Sequence, residues 1–309
     1  MRKLLVTTAL VAMSVAAFAQ DSDFKARYDR QVRNVGYDGV GVETIIDKWE
    51  AAEPTNADML LARYQYYLAR ARYTEVVPKY QSKFMGSSPT VVLKDENGMD
   101  VGYFEETFFD DEPFGQAQKV LDKLISLYPD EISYRYEKIS SLISYEKEFP
   151  EMATKELNNL ISLNETKHPT WKYKGEDLTK DDYLDAIQEF CYTYFTIGSA
   201  VSMNSFMDIS VKMSKYYPKY TVFLSNQGTY WLVGGNSGKA LKSYAQVLKI
   251  DPKDYSAVRN TILIARRNKD TKLEMKYLPV LIEITESDTE RLSAQGRMQA
   301  LSNAKKKNK

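Results

Sequence analysis

Apolar residues recur along most of this chain at the three- and four-residue steps of a helix face, in paired runs parted by short polar or glycine breaks. The clearest pair lies between Leu224 and Pro252. Its first run carries Leu224, Gly228 and Trp231, and its second carries Ala240, Tyr244 and Val247 before stopping at Pro252, which cannot continue a helix. Gly228 and Ala240 are small, so two helices can approach closely there. Trp231 and Tyr244 are large enough to fill the space that approach leaves at the edges. The glycine-rich break Gly234–Gly238 reads as an interhelix turn, because no strand precedes it and no Lys-Ser/Thr pair follows at phosphate-loop spacing.

The same pairing predicts helices elsewhere. Residues 23–35 and a run through Val42, Ile46 and Trp49 give a first hairpin over about 22–55, broken by Gly36-Tyr37-Asp38-Gly39. Ala57 to Arg70 follows with a wide stripe of Leu60, Leu61, Tyr64, Tyr67 and Leu68, and a further helix is expected over Tyr73–Phe84. Residues 86–112 change character. Thr90–Leu93 and Val101–Phe104 are β-rich and flank Asp95-Glu96-Asn97-Gly98, whose Asn-Gly suits a tight turn, so a β-hairpin is expected near residues 90–104. The acidic stretch Glu105–Glu112 is expected as a solvated connector or, with the hairpin, as a recognition element. Helical spacing returns with Ala117, Leu121, Leu124 and Pro129, then Tyr136, Ile139 and Ile143, then Ala153, Leu157 and Leu160. A long connector over 164–178 holds Trp171 and Tyr173, either as anchors or as exposed binding rings. Further helices carry Tyr183, Ile187, Phe190 and Tyr194, and then Phe206, Ile209 and Met213 up to Pro218, which lies 34 residues before Pro252. Tyr255–Asn268 and Leu273–Glu286 make one more hairpin, residues 288–304 a capping helix, and 305–309 a disordered basic tail.

These residues resemble exported tetratricopeptide-repeat (TPR) proteins of Bacteroidetes-type bacteria. The resemblance is closest over 183–286 and looser over 22–70 and 113–165. It implies an all-α fold: a TPR-like right-handed solenoid of helical hairpins over residues 20–304 with the β-hairpin as an insertion. Only Gly228 has the small residue at the close-contact place; Tyr194, Ile139 and Tyr64 are large there, so those helix pairs should be more open. The resemblance also implies a concave groove that binds peptides or proteins. First-helix residues one place after the close contact should face it, with their neighbours a turn away. That rule selects Tyr136, Ser140, Cys191, Phe195, Ser225, Thr229, Arg259, Leu263 and Arg266. The set is apolar with a basic end, as suits an extended peptide with an acidic terminus.

Residues 1–19 match a signal peptide: Arg2 and Lys3, an apolar run over Leu4–Val15, and Ala17-Phe18-Ala19 before Gln20. That predicts a periplasmic or secreted protein, and no later apolar run is long enough to span a membrane. Charge is balanced, 42 basic against 42 acidic residues, which offers no broad attraction for nucleic acid. One cysteine, Cys191, and one histidine, His168, exclude a His/Cys metal cluster, and nothing places His168 to serve as a catalytic base. Asp95–Asp100 lacks the spacing of a calcium loop. No cofactor is expected. The functional expectation is therefore a non-catalytic scaffold for a protein or peptide. The rivals are a glycan-binding accessory protein that stacks sugars on exposed Trp and Tyr, and a hydrolase with paired carboxylates.

Overall fold

The computed structural model describes residues 24–307, so the predicted signal peptide lies outside it. Helices dominate, and two compact units divide the chain at residues 179 and 180. Both are built of helical hairpins, the mainly α fold that the resemblance implies.

In the first unit α1 (residues 24–35) turns through Gly36 and Gly41, both at positive φ, into α2 (Val42–Ala52). Val42, Ile46 and Trp49 are buried, and Trp49 stacks on Phe24 at 6.4 Å between ring centres. Asn56 caps α3 (Ala57–Ala71), its Oδ1 accepting the Met59 N–H at 3.0 Å. The helix that completes this hairpin is α4 (Asp111–Leu127), about forty residues downstream. Met59, Leu60, Ala62 and Tyr64 of α3 share one core with Ala117, Leu121 and Leu124 of α4. α5 (Ile132–Glu146) and α6 (Glu151–Lys167) make the third pair, burying Ile139 and Ile143 with Ala153, Leu157 and Leu160.

The insertion is larger than a hairpin. The expected helix over Tyr73–Phe84 is instead the strand β1 (Arg72–Lys79). β2 (Val91–Lys94) and β3 (Asp100–Phe109) complete an antiparallel sheet in the order β1-β3-β2. The predicted turn is present: Asp95 Oδ1 accepts the N–H groups of Asn97 and Met99 at 2.9 Å each, and Gly98 takes φ 75°. β1 strands because Tyr73-Thr74-Glu75-Val76-Val77 is β-branched and aromatic, and because it pairs with β3 along its whole length, Arg72 opposite Phe109 and Lys79 opposite Gly102. Pro78 is tolerated because β1 is an edge strand. The sheet leaves from the end of α3 and returns to the start of α4, where the Asp110 N–H donates to Ala71 O at 2.8 Å. It has thus replaced the turn of a repeat hairpin.

Phe84 packs edge-on to Phe104 on one sheet face, while Val76, Val91 and Leu93 remain exposed on the other. The acidic stretch is not one solvated connector. Glu105 and Glu106 belong to β3, Asp110 precedes α4, and Asp111 and Glu112 occupy its first turn. Glu106 is buried, with ammonium groups of Lys79 and Lys147 each 2.9 Å from its carboxylate.

The expected connector over 164–178 is shorter, since α6 runs to Lys167. A small hairpin of β4 (Lys172–Tyr173) and β5 (Glu176–Asp177) follows. Trp171 is its anchor, buried, with Nε1 donating to Asn164 Oδ1 at 2.9 Å, whereas Tyr173 is exposed.

The second unit contains α7 (Lys180–Ile197), α8 (Ala200–Tyr216), α9 (Val222–Val233), α10 (Ser237–Ile250), α11 (Tyr255–Arg267), α12 (Thr271–Ile284) and α13 (Asp288–Lys307). Side chains of Ser199, Asn236, Asp254 and Asp270 cap α8, α10, α11 and α12 in turn, each accepting an N–H three residues on. Gly228 meets Tyr244: a Cβ at Gly228 would lie 2.5 Å from the Tyr244 ring. Tyr244 is therefore at the centre of the crossing and not at its edge, fully buried, its hydroxyl 3.1 Å from Thr229 Oγ1 and 3.0 Å from the Asn260 Nδ2 that donates to it. Pro279 lies inside α12, which continues as one helix. α13 runs to Lys307, so the expected disordered tail at 305–309 is helical for its first three residues; Asn308 and Lys309 lie outside the described part.

Candidate functional site

Concavities open between successive first helices of the hairpins. In the first unit a cavity of about 350 Å³ lies between α1 and α3, and one of about 540 Å³ between α3 and α5. Tyr37, Leu61 and Gln65 line both, so the two form one continuous depression. Its α3 wall is a helical stripe, Leu61, Tyr64, Gln65 and Leu68, and its α5 wall is Ser133, Tyr134 and Glu137.

The polar groups there are mostly committed to one another. The Tyr64 hydroxyl donates to Glu137 Oε1 at 2.6 Å; burial, then the charge of Glu137, drives its pKa far up, so it stays a donor. Burial likewise pushes the Tyr134 hydroxyl up to about 12. Tyr28 donates to Gln65 Oε1 at 3.0 Å. That occupies the Gln65 carbonyl and leaves its amide N–H groups without a protein partner among the described residues. At the rim, Lys174 is held in place by its own backbone. Glu131 accepts the N–H groups of Lys174 and Gly175 at 2.8 and 2.9 Å, tying the β4–β5 turn beside the cavity mouth. Burial would raise the pKa of Glu131, but hydrogen bonds from Ser133, Gly175 and Lys174 more than offset it, and the carboxylate stays ionised. Lys174 and Arg72 line the cavity as cations with no ion pair among the described residues.

The residues selected from sequence scatter. Arg259, Leu263 and Arg266 come together in a cavity of about 390 Å³ in the second unit, walled by α11, α12 and α13. Ser140 is exposed on α5, beyond the cavity wall, and half-buried Tyr136 sits 6.4 Å from the Tyr173 ring, outside the cavity. Phe195 packs on Phe206 at 5.5 Å. Thr229 is engaged by Tyr244. Ser225 and Cys191 are buried and line none of these three cavities; burial pushes the Cys191 thiol up to about 12, which makes it inert. Three groove residues fall outside that selection although the same helix-face rule, applied at Tyr64, points to them. One place after Tyr64 is Gln65, and a turn either side are Leu61 and Leu68, all three in the larger cavity of the first unit.

No group of three or more His, Cys, Asp or Glu among the described residues is arranged to hold a metal ion. No helix among them is long and apolar enough to cross a membrane. No protein-family model matches this chain, and no curated protein matches it. A solved structure that matches is the flexible tandem repeat domain of a bacterial cellulose synthase component, 13% identical, covering 92% of this chain and 97% of that one with a TM-score of 0.28. A likeness that loose carries no argument, and the helical-repeat assignment rests on the hairpins themselves.

Proposed function

We propose that this chain is an exported, non-catalytic scaffold that holds an extended segment of a protein partner against its first helices. The observation that supports this most is the depression along α1, α3 and α5. It offers what an extended peptide needs: apolar recesses at Leu61 and Leu68, aromatic walls at Tyr64 and Tyr134, and the spare amide of Gln65 to meet a backbone carbonyl. The glycan alternative has less support, because Trp171 is buried and engaged with Asn164. The hydrolase alternative needs two facing carboxylates; of the acids lining the depression, Glu137 already holds Tyr64 and Asp58 pairs with Lys25.

The test is selection of a random displayed peptide library on the purified chain from Gln20 onward. Enriched peptides should be extended and apolar. Leu68→Glu should weaken them at least tenfold, about 1.4 kcal/mol, with an unchanged helical spectrum. Gln65→Ala should weaken them less. No enrichment, or peptides indifferent to both changes, sinks the reading. Export has its own check: mass spectrometry of the native protein should find Gln20, free or cyclised, at the N-terminus. A retained Met1 would remove the compartment from the proposal.

A further inference from the structure

The inserted sheet has an edge with unspent backbone groups. Just before β1 pairs with β3, the Asp110 N–H donates to Ala71 O. In an antiparallel ladder such bonded pairs alternate with unbonded ones. The bonded residues of β1 are therefore Tyr73, Glu75, Val77 and Lys79, and the backbone groups of Thr74, Val76 and Pro78 point away from β3. Pro78 fits that parity, since it has no N–H to offer the ladder. On the other side of β3 the Asp95 N–H donates to Met99 O, which puts Val101 and Tyr103 in the bonds to β2 and agrees with the same alternation. The outward N–H and C=O groups of Thr74 and Val76 have no protein partner among the described residues. Every residue from Arg72 to Val76 is exposed, Val76 to 59%.

This edge is held ready. The Arg72 N–H is tied into the last turn of α3, donating to Leu68 O and Ala69 O. At the far end Lys79 pairs with buried Glu106 at 2.9 Å and lies over the Phe84 ring. A strand fixed at both ends loses little freedom when another is laid beside it. The opposite edge is guarded. β2 has four residues, Pro89 lies against Gly102, and Lys94 donates to Gly98 O and Asp100 across the turn. Side chains along β1 add a sign. Val76 is apolar on one sheet face, across from exposed Glu105, and exposed Glu75 stands on the other. Lys79 and Lys147 are both spent on Glu106, so Glu75 and Glu105 keep no ion pair among the described residues. A second copy of the chain would bring a like-charged Glu75 to this edge, whereas a basic strand brings the opposite charge.

We infer that the outer edge of β1 takes up an extended basic segment of a partner protein as a fourth strand, giving the order partner-β1-β3-β2. Backbone groups of Thr74 and Val76 hold the segment. An apolar residue opposite Val76 and a lysine or arginine opposite Glu75 select it. The edge shares only Arg72 with the depression along α1, α3 and α5, which Arg72 lines and from which β1 begins.

The experiment is fluorescence anisotropy with a labelled, capped peptide Thr-Val-Lys-Val-Lys-Val on the chain from Gln20 onward. Two further forms carry backbone N-methyl groups, one on the valines and one on the lysines. Strand addition seats the valines opposite Thr74, Val76 and Pro78, so the valine N–H groups bond to β1 and the lysine N–H groups point away. The expected result is that methylated valines weaken binding about tenfold or more while methylated lysines change little. Glutamate in place of the lysines should weaken binding too, and Glu75→Lys should reverse that preference. Val76→Pro removes an outward N–H and spares the bonds to β3, so it should cost about tenfold with an unchanged helical spectrum. If it disturbs the sheet, the two methylated peptides on the unaltered chain still decide. No binding of the parent peptide overturns the inference. So do equal effects of the two methylation patterns, because a groove or a charged patch does not read backbone parity. Loss of binding on Leu68→Glu but not on Val76→Pro would seat the peptide in the first-unit depression and also overturn it. So would self-association of the chain in sedimentation velocity that Val76→Pro abolishes, since a second copy would then cover the edge. Failure of the library selection with success here would leave this edge standing while the first-unit reading falls.

Discussion

Gly228→Ala should destabilise the second unit by about 1 kcal/mol and Gly228→Leu by about 3 kcal/mol, the upper part of the usual range for overpacking a core. The sign is the informative part. Glycine inside a helix costs roughly 1 kcal/mol relative to alanine, so the substitution is normally a gain. At Gly228 the new Cβ would sit 2.5, 2.7 and 2.8 Å from three atoms of the Tyr244 ring. That ring cannot give way cheaply, because it is fully buried and pinned by Thr229 and Asn260 through its hydroxyl. Gly296 in α13 supplies the contrast, since a Cβ there meets nothing within 4 Å. Gly296→Ala should therefore stabilise by up to about 1 kcal/mol. In a Tyr244→Leu background the Gly228→Ala penalty should largely vanish, a coupling that a double-mutant cycle in urea measures directly. If the two glycine substitutions shift the unfolding midpoint in the same direction, the close α9–α10 crossing is wrong.

This crossing was legible because it is local. Gly228, Ala240 and Tyr244 lie within one hairpin, and small or large residues at fixed helical spacing report directly on how near the two axes come. Helix ends elsewhere followed for the same reason, with Pro218 and Pro252 lying just past the ends of α8 and α10. What the sequence concealed was non-local. Residues 73–84 hold enough apolar spacing to pass for a helix, and pairing with β3, some thirty residues on, decides in favour of the strand that the β-branched residues of Arg72–Lys79 also suit. Local spacing also cannot show that α3 and α4 are partners, because the sheet stands between them in sequence.

The candidate sites divide along the same line. Arg259, Leu263 and Arg266 are one face of one helix, so the 3.6-residue period groups them correctly. Whether that face stays open depends on what packs over it. Ser225 is on an equivalent face of α9 and is nevertheless buried. The first-unit depression needs three helices at once, and its rim needs Glu131 to tie down Lys174, a bond spanning 43 residues with no trace in local pattern.

The buried Glu106 network gives the second large effect. Lys147 Nζ, just past the end of α5, donates to Glu106 Oε2 at 2.9 Å, and Lys79 Nζ on β1 pairs with Oε1 at 2.9 Å. Each ammonium also lies over an aromatic ring, Lys79 above Phe84 at 3.8 Å and Lys147 above Phe108 at 3.2 Å. One carboxylate thus ties the inserted sheet to the helical array. Glu106→Gln removes the anion and leaves two poorly solvated ammonium groups facing each other, so the expected loss is about 3 kcal/mol, the lower end for breaking a buried pair because both lysines keep some water. The triple change Glu106→Leu, Lys79→Met, Lys147→Met should recover most of that, because no charge is then left unpaired. Acid supplies an independent readout. Burial alone would raise the pKa of Glu106, but the two lysines outweigh it and hold it below the usual carboxylate value. A depressed folded pKa means the contribution is complete above the unfolded value of about 4.3 and is lost as pH falls through the folded one. The stability gap between the wild type and Glu106→Gln should therefore hold from neutral pH to about pH 5 and narrow toward pH 3. A gap that stays constant over that range would show that Glu106 acts through packing alone, and that the sheet is not held by this charge.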